Sequence, residues 1–164
     1  MHRRPRLTRP RARRGALAAA AALLVVAPTA ACSGSEAVEP APSASAAACT
    51  TALAAAPAAV LGEARTPLDV AGALAYGSPP IVVRCGLAAP GPSPDRCLEL
   101  DGTDWLLTSA DDAVPVVLVS FGRDPALEVT VPGDYGRENA SAAAIDLAPV
   151  ARALPANGRA CQGL

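Results

Sequence analysis

Five cysteines and fifteen carboxylates carry most of the covalent and acid–base chemistry open to this 164-residue chain. The cysteines stand at positions 32, 49, 85, 97 and 161, and the one histidine is His2. All fourteen basic residues are arginine. Beyond the first residues, Ser-His-Asp and Cys-His nucleophiles, lysine Schiff bases and H-E-x-x-H zinc sites are therefore excluded by inventory. No C-x-x-C spacing occurs, so a cysteine metal site has no support, and neither a metal nor a cofactor is expected. Carboxylate pairs are the surviving catalytic option. Asp101, Asp104, Asp111 and Asp112 cluster around Trp105, and two acids beside an aromatic side chain are the equipment of a glycoside hydrolase. The plainer reading makes Asp101-Gly102 and Asp111-Asp112 turns and Trp105 the main core aromatic, with no catalytic residue assigned.

Four side chains stand as ligand-binding candidates: Tyr76, Arg84, Trp105 and Arg123. Tyr76 precedes Gly77-Ser78-Pro79-Pro80, an aromatic with rigid prolines that would make a ligand lip or a turn launching a strand. A cis Ser78-Pro79 bond would suit that turn. Arg84 and Arg123 are each suited to bidentate recognition of an anion, against the ordinary reading of a solvated face or a local ion pair.

The elements that must position these residues begin after a leader. Seven of the fourteen arginines fall within the first fourteen residues, with no acid among them, and an uncharged apolar run, residues 16–26, follows. A charged region before a short apolar one is the pattern of an export signal over residues 1–31, too short for a permanent membrane span. Thr29-Ala30-Ala31-Cys32 resembles the lipobox of bacterial lipoproteins, although Thr29 stands where Leu or Val is usual. The resemblance implies a diacylglycerol on the Cys32 thiol; cleavage to a soluble secreted protein is the alternative. Arg13-Arg14 also permits twin-arginine export. Without the leader, seven arginines face fifteen acids, a net charge of −8. So acidic a chain does not suit nucleic acid or anionic lipid, leaving an acyl chain as the means of membrane residence.

Residues 32–48 are small and Pro-containing and read as a disordered tether, whose sixteen residues after Cys32 would reach roughly 20 Å as a coil or about 50 Å extended. The domain then occupies 49–164. Its four cysteines imply two disulfides with three possible pairings. Cys85 with Cys97 across a Gly/Pro loop, and Cys49 with Cys161 joining the ends, is the economical one.

Periodicity and punctuation predict an α+β fold: an N-terminal helix over 46–56, about five short antiparallel strands, and a C-terminal helix over 141–154 with Pro149 in its first turn or at a bend. The strands are expected over 81–85, 97–100, 103–108, 114–121 and 126–132. Asp101-Gly102 turns one hairpin and Gly122-Arg123-Asp124-Pro125 another. In the last strand Leu127, Val129 and Val131 should face the core, with Glu128 and Thr130 outward. Helices laid on one face of the sheet bury this pattern best.

Tyr76-Gly77-Ser78-Pro79-Pro80-Ile81-Val82-Val83-Arg84-Cys85-Gly86, Leu100-Asp101-Gly102-Thr103-Asp104-Trp105, Gly122-Arg123-Asp124-Pro125 and Val129-Thr130-Val131-Pro132 together resemble an actinobacterial family of small secreted or lipid-anchored proteins of unknown function. Members often carry Trp where Tyr76 stands. The resemblance implies an exported cell-envelope protein with two disulfides and supplies no catalytic residues. The expected protein is a monomeric, lipid-anchored, non-enzymatic binding or accessory module on the outer face of the cytoplasmic membrane, its partner an envelope protein or cell-wall component. The alternative function is a small carboxylate-dependent hydrolase of cell-wall glycan.

Overall fold

The computed structural model describes residues 37–110 and 112–162; the leader, Cys32 and Asp111 lie outside the described residues. A short helix, α1 (Ala47–Leu53), precedes eight strands: β1 (Ala59–Val60), β2 (Glu63–Thr66), β3 (Ala73–Tyr76), β4 (Ile81–Leu87), β5 (Arg96–Leu100), β6 (Thr103–Leu107), β7 (Val116–Phe121) and β8 (Ala126–Val131). Two 3-10 turns, Gly133–Tyr135 and Arg137–Asn139, lead into α2 (Ala140–Asp146) and α3 (Ala148–Ala153). All strands pair antiparallel in one sheet of order β1-β2-β3-β4-β8-β7-β6-β5.

The sheet has eight strands rather than about five. The additional ones, β1 to β3, are two to four residues long and rich in alanine, so they lack the β-branched alternation that marks a strand in sequence. The remaining five fall where expected, with Asp101-Gly102 and Gly122–Pro125 as hairpin turns. Pro115, which has no N–H to donate, keeps β7 from starting before Val116. The expected C-terminal helix breaks at Leu147, and Pro149 sits in the first turn of α3, where a missing donor costs nothing. Likewise α1 is shorter than 46–56.

Register divides the side chains between two faces. Val83 lies opposite Val129, Val129 opposite Leu118, and Leu118 opposite Leu107, so all four point to one side, termed the front. There Ile81, Trp105, Leu127 and Val131 join them, and Ala143, Leu147, Val150 and Leu154 of the C-terminal helices complete a continuous core with Cys49 and Ala52 of α1. Each large side chain buried in this way contributes roughly 1.5–3 kcal/mol. As the alternation predicts, Leu127, Val129 and Val131 are fully buried, whereas Glu128 and Thr130 turn to the back.

Two segments of chain outside the strands cross the back. Residues 37–46, expected as the end of a tether, are packed there instead. Ser43 N donates to Gly86 O at 2.9 Å, Arg84 Nη1 donates to Glu39 O at 3.1 Å, and Ala41 and Ala44 are buried. The approach depends on Gly86, which occupies a bulge in β4 at φ 111°; a Cβ there would collide with the Ser43 carbonyl carbon and the Ala44 amide. Ser43 and Ala44, which look like linker in sequence, are the residues that lie against Gly86.

Both disulfides form, with pairings that correct the expectation: Cys49 with Cys85 and Cys97 with Cys161, Cα atoms 5.6 and 5.8 Å apart. Cys85 and Cys97 are near in sequence but sit on strands four places apart in the sheet, about 19 Å at normal strand spacing. Their side chains also leave opposite faces, since Cys85 lies opposite Leu127 and Cys97 opposite Leu106. No bridge spans that distance. The first disulfide instead pins α1 to the front of β4, and the second pins the tail to the back of β5.

Candidate functional site

The most developed concavity is on the back, above β5 to β7. Asp104 lies opposite Phe121 and Leu106 opposite Val119, which places Leu106 and Phe121 on this face as an apolar floor. Pro92 and Pro94 form one wall and the tail from Gly158 to Gln162 the other, enclosing a cleft of about 620 Å³ with Arg96 and Arg159 among its lining residues. Two prolines, a phenylalanine and a leucine suit an apolar ligand portion, with Asp95 and Arg159 beside them as polar groups; Arg96 lies opposite Leu107, so the alternation turns its side chain to the front.

The tail wall is held at successive points. Asp124 N donates to Pro155 O and Asn157 N to Gly122 O, each at 3.0 Å, and Arg123 bridges Ala156. Arg159 Nη1 donates to Pro90 O at 2.7 Å, tying the tail to the loop before β5. Cys161 N donates to Asp104 Oδ2 at 2.7 Å, beside the disulfide to Cys97. Gly122, at φ 75°, leaves room for this crossing, because a Cβ there would strike Arg159 O. A shallower depression of about 370 Å³ continues along the tail, lined by Glu99, Asp104, Arg123 and Arg159 among others.

The four ligand-binding candidates are not brought together. Tyr76 is wholly buried, its hydroxyl donating to Pro57 O at 3.1 Å and its ring 5.7 Å from the Arg65 guanidinium carbon, so it belongs to the core and forms no lip. Trp105 is wholly buried as well, which removes it from any surface site, and its Nε1 has no hydrogen-bond partner among the described residues. Arg84 is occupied by Glu128, with Nε 2.8 Å from Oε1, and by Glu39 O. Arg123 alone lines a concavity, although its Nη1 donates to Leu154 O at 3.1 Å. Ser78-Pro79 is cis.

The acids around Trp105 also separate. Asp101, at the tip of the β5–β6 hairpin, pairs with Arg152 of α3 at 2.7 Å. Asp104 is on the back and holds the tail, while Asp112 is exposed in the loop before β7. Asp104 is instead opposite Glu99, whose Oε1 accepts from Gly102 N at 2.8 Å. Both carboxylates are thus engaged by backbone donors.

Sequence reasoning missed Glu99, Phe121, Arg159 and the Pro92–Pro94 wall. Alternation along β5 and β6 would have put Glu99 and Asp104 on one face, but only knowledge that Cys97 bonds Cys161 brings the tail there. Tyr135 was also missed. Its hydroxyl donates to Pro79 O at 2.9 Å, and burial pushes its pKa above the ordinary tyrosine value, with the Glu63 and Asp134 carboxylates adding to the rise.

No curated protein and no solved structure matches the chain. The model of a family described as "Protein of unknown function (DUF3515)" matches residues 14–158, most of the chain and nearly all of the sheet, helices and cleft just described. The chain belongs to this family of unknown function.

Proposed function

We propose that the protein is a lipid-anchored, extracytoplasmic component of the cell envelope, acting as a binding or accessory module through the back of its sheet. One observation carries this reading. The four cysteines of the described domain close on one another in two disulfides, and the fifth cysteine, Cys32, directly after Thr29-Ala30-Ala31, stands outside both bridges. Two disulfides suit an oxidising compartment, and an arginine-rich leader before a short apolar run suits export. Acylation would give the Cys32 thiol a use and would hold an acidic domain at a membrane that its charge does not favour.

As a module, its asset is the cleft with the Leu106 and Phe121 floor between the Pro92–Pro94 wall and the tail that carries Arg159. A partner from the envelope, protein or cell-wall component, is the corresponding ligand class.

The test is fractionation of cells producing the full-length chain or its Cys32→Ser variant. The intact chain should sediment with membranes and be digested by protease added outside the cytoplasmic membrane. Cys32→Ser should lose membrane association while keeping both disulfides. Recovery of the two forms in the same fraction would remove the anchor.

A further inference from the structure

We infer that the free edge of β5 is a docking strand, and that its occupant is an extended segment of a partner protein in which basic and apolar residues alternate. The inference rests on the binding-module half of the proposed function and names the chemistry of the partner; it does not need the lipid anchor. The sheet ends in β1 at one edge and β5 at the other. β1 offers only two residues, whereas β5 offers five, with no proline and no bulge in its register to β6. Short strands, prolines and bulges are the usual means of blunting an edge. The turn shows which backbone groups are free. Leu100 and Thr103 close the two-residue Asp101-Gly102 turn, whose φ values are 46° and 71°, and so form a hydrogen-bonded pair. Such pairs alternate along an antiparallel ladder. Leu98 and Arg96 therefore also point their N–H and C=O groups at β6, and those of Cys97 and Glu99 point away from the sheet. The latter have no backbone partner among the described residues. A row of this kind recognises another extended backbone.

The side chains decide which backbone. Alternation puts Glu99 on the back with Cys97, and Asp95, which lines the back cleft, precedes them. Leu98 and Leu100 are on the front, where Leu98, Leu107, Val116 and Ala140 help to line a depression of about 340 Å³ beside the start of α2. A second copy is a poor occupant. Pairing β5 with its own copy through the free groups of Cys97 and Glu99 sets Glu99 against Glu99, Glu99 against Asp95, or Asp95 against Asp101, according to register. Like charges directly opposite destabilise a strand pair. A strand with Arg or Lys at the positions facing Glu99 and Asp95 turns the same acids into attraction, and its intervening apolar side chains lie beside Leu98 and the front depression. The edge thus rejects its own kind and admits an alternating basic strand.

The probe is a synthetic peptide of alternating Arg and Val, about ten residues long, the upper range of a strand. The full chain, with both disulfides intact by mass, is titrated with it and followed by amide hydrogen exchange. The Cys97 and Glu99 amides should exchange about tenfold or more slowly in the complex, while that of Leu98, already paired with β6, changes little. In an antiparallel pairing, as elsewhere in this sheet, the Arg residues of the peptide turn their N–H groups to β5. N-methylation of those residues should weaken binding about tenfold or more, and N-methylation of the Val residues should not. Glu99→Gln, which keeps an acceptor for Gly102 N, should weaken binding about two- to fivefold. Binding that leaves both amides fast, or that ignores both methylations, would remove the edge while keeping a binding module. Absence of binding would overturn the inference and leave the cleft as the module's surface. Equal binding of the peptide with Glu in place of Arg would overturn it as well. So would slowing of the same amides on concentrating the chain alone, because the occupant would then be a second copy.

Discussion

The front of the sheet is closed by helices and the back by strips of chain outside helix and strand, and the two closures are held by different forces. The front buries Trp105, Leu118, Leu127, Val129 and Leu147 against α1, α2 and α3, with the Cys49–Cys85 bridge wholly inside. Each such side chain contributes roughly 1.5–3 kcal/mol. The back buries fewer large side chains, Leu106 and Val119 with Ala41, Ala44, Ala73 and Ala75, and depends also on backbone hydrogen bonds, an Arg–Glu pair and a partly exposed bridge, Cys97–Cys161. A typical hydrogen bond is worth about 0.5–1.5 kcal/mol net. The front should therefore govern whether the chain folds, and the back whether two segments stay in place. Division of this kind lets a surface change its covering without melting the core.

The largest effect expected is at the front. Trp105→Ala should cost about 3–5 kcal/mol, enough to lower the thermal midpoint steeply or prevent folding, as read by calorimetry. Its Nε1, unpartnered among the described residues, offers a sharper probe: Trp105→Phe should cost much less than the volume change suggests, because it also removes that buried donor.

Next come the bridges. Under a graded dithiol reductant, Cys97–Cys161 should open well before Cys49–Cys85, whose cysteines are 0% exposed. Alkylation followed by peptide mass mapping reads the order. Replacing Cys97 and Cys161 by Ser should raise hydrogen exchange over residues 156–162 and leave β4 and β8 protected. If α1 and β4 lose protection together with the tail, the two faces are not separable.

Gly86→Ala should act locally and more weakly, at about 1–3 kcal/mol, by driving a methyl group into the Ser43–Ala44 backbone. Its signature is faster exchange over residues 37–46 with the front core unchanged.

The smallest effect is alkaline. Burial, with Glu63 and Asp134, raises the Tyr135 pKa in the folded protein, so the neutral hydroxyl is favoured there. The associated stability is present in full below the ordinary value near 10 and is lost as pH rises through the higher folded value. Thermal melts of the wild type should fall more steeply above about pH 10 than those of Tyr135→Phe.

Legibility in the sequence follows the same division. The front strands announce themselves by β-branched alternation, as in Leu127, Val129 and Val131, and by Asp101-Gly102 at a turn. The back does not. Its strip over 37–46 is mostly Ala, Ser and Pro, with Ser43 and Ala44 against Gly86, and small residues carry the same signal as a linker. The cysteine pairing was hidden for a related reason. Joining β4 to β8 places β5 at the far edge, so sequence neighbours Cys85 and Cys97 are not spatial ones. Tyr76 and Trp105 were legible as important aromatics, but burial, which sequence does not resolve residue by residue, decides between core and ligand contact.

The most direct test of the functional account is the mass of the N-terminal peptide of the protein recovered from membranes of the cells that make it. The account predicts a peptide that begins at Cys32 and carries a diacylglyceryl group on its sulfur. An unmodified N-terminus, at Cys32 or further along, would contradict it.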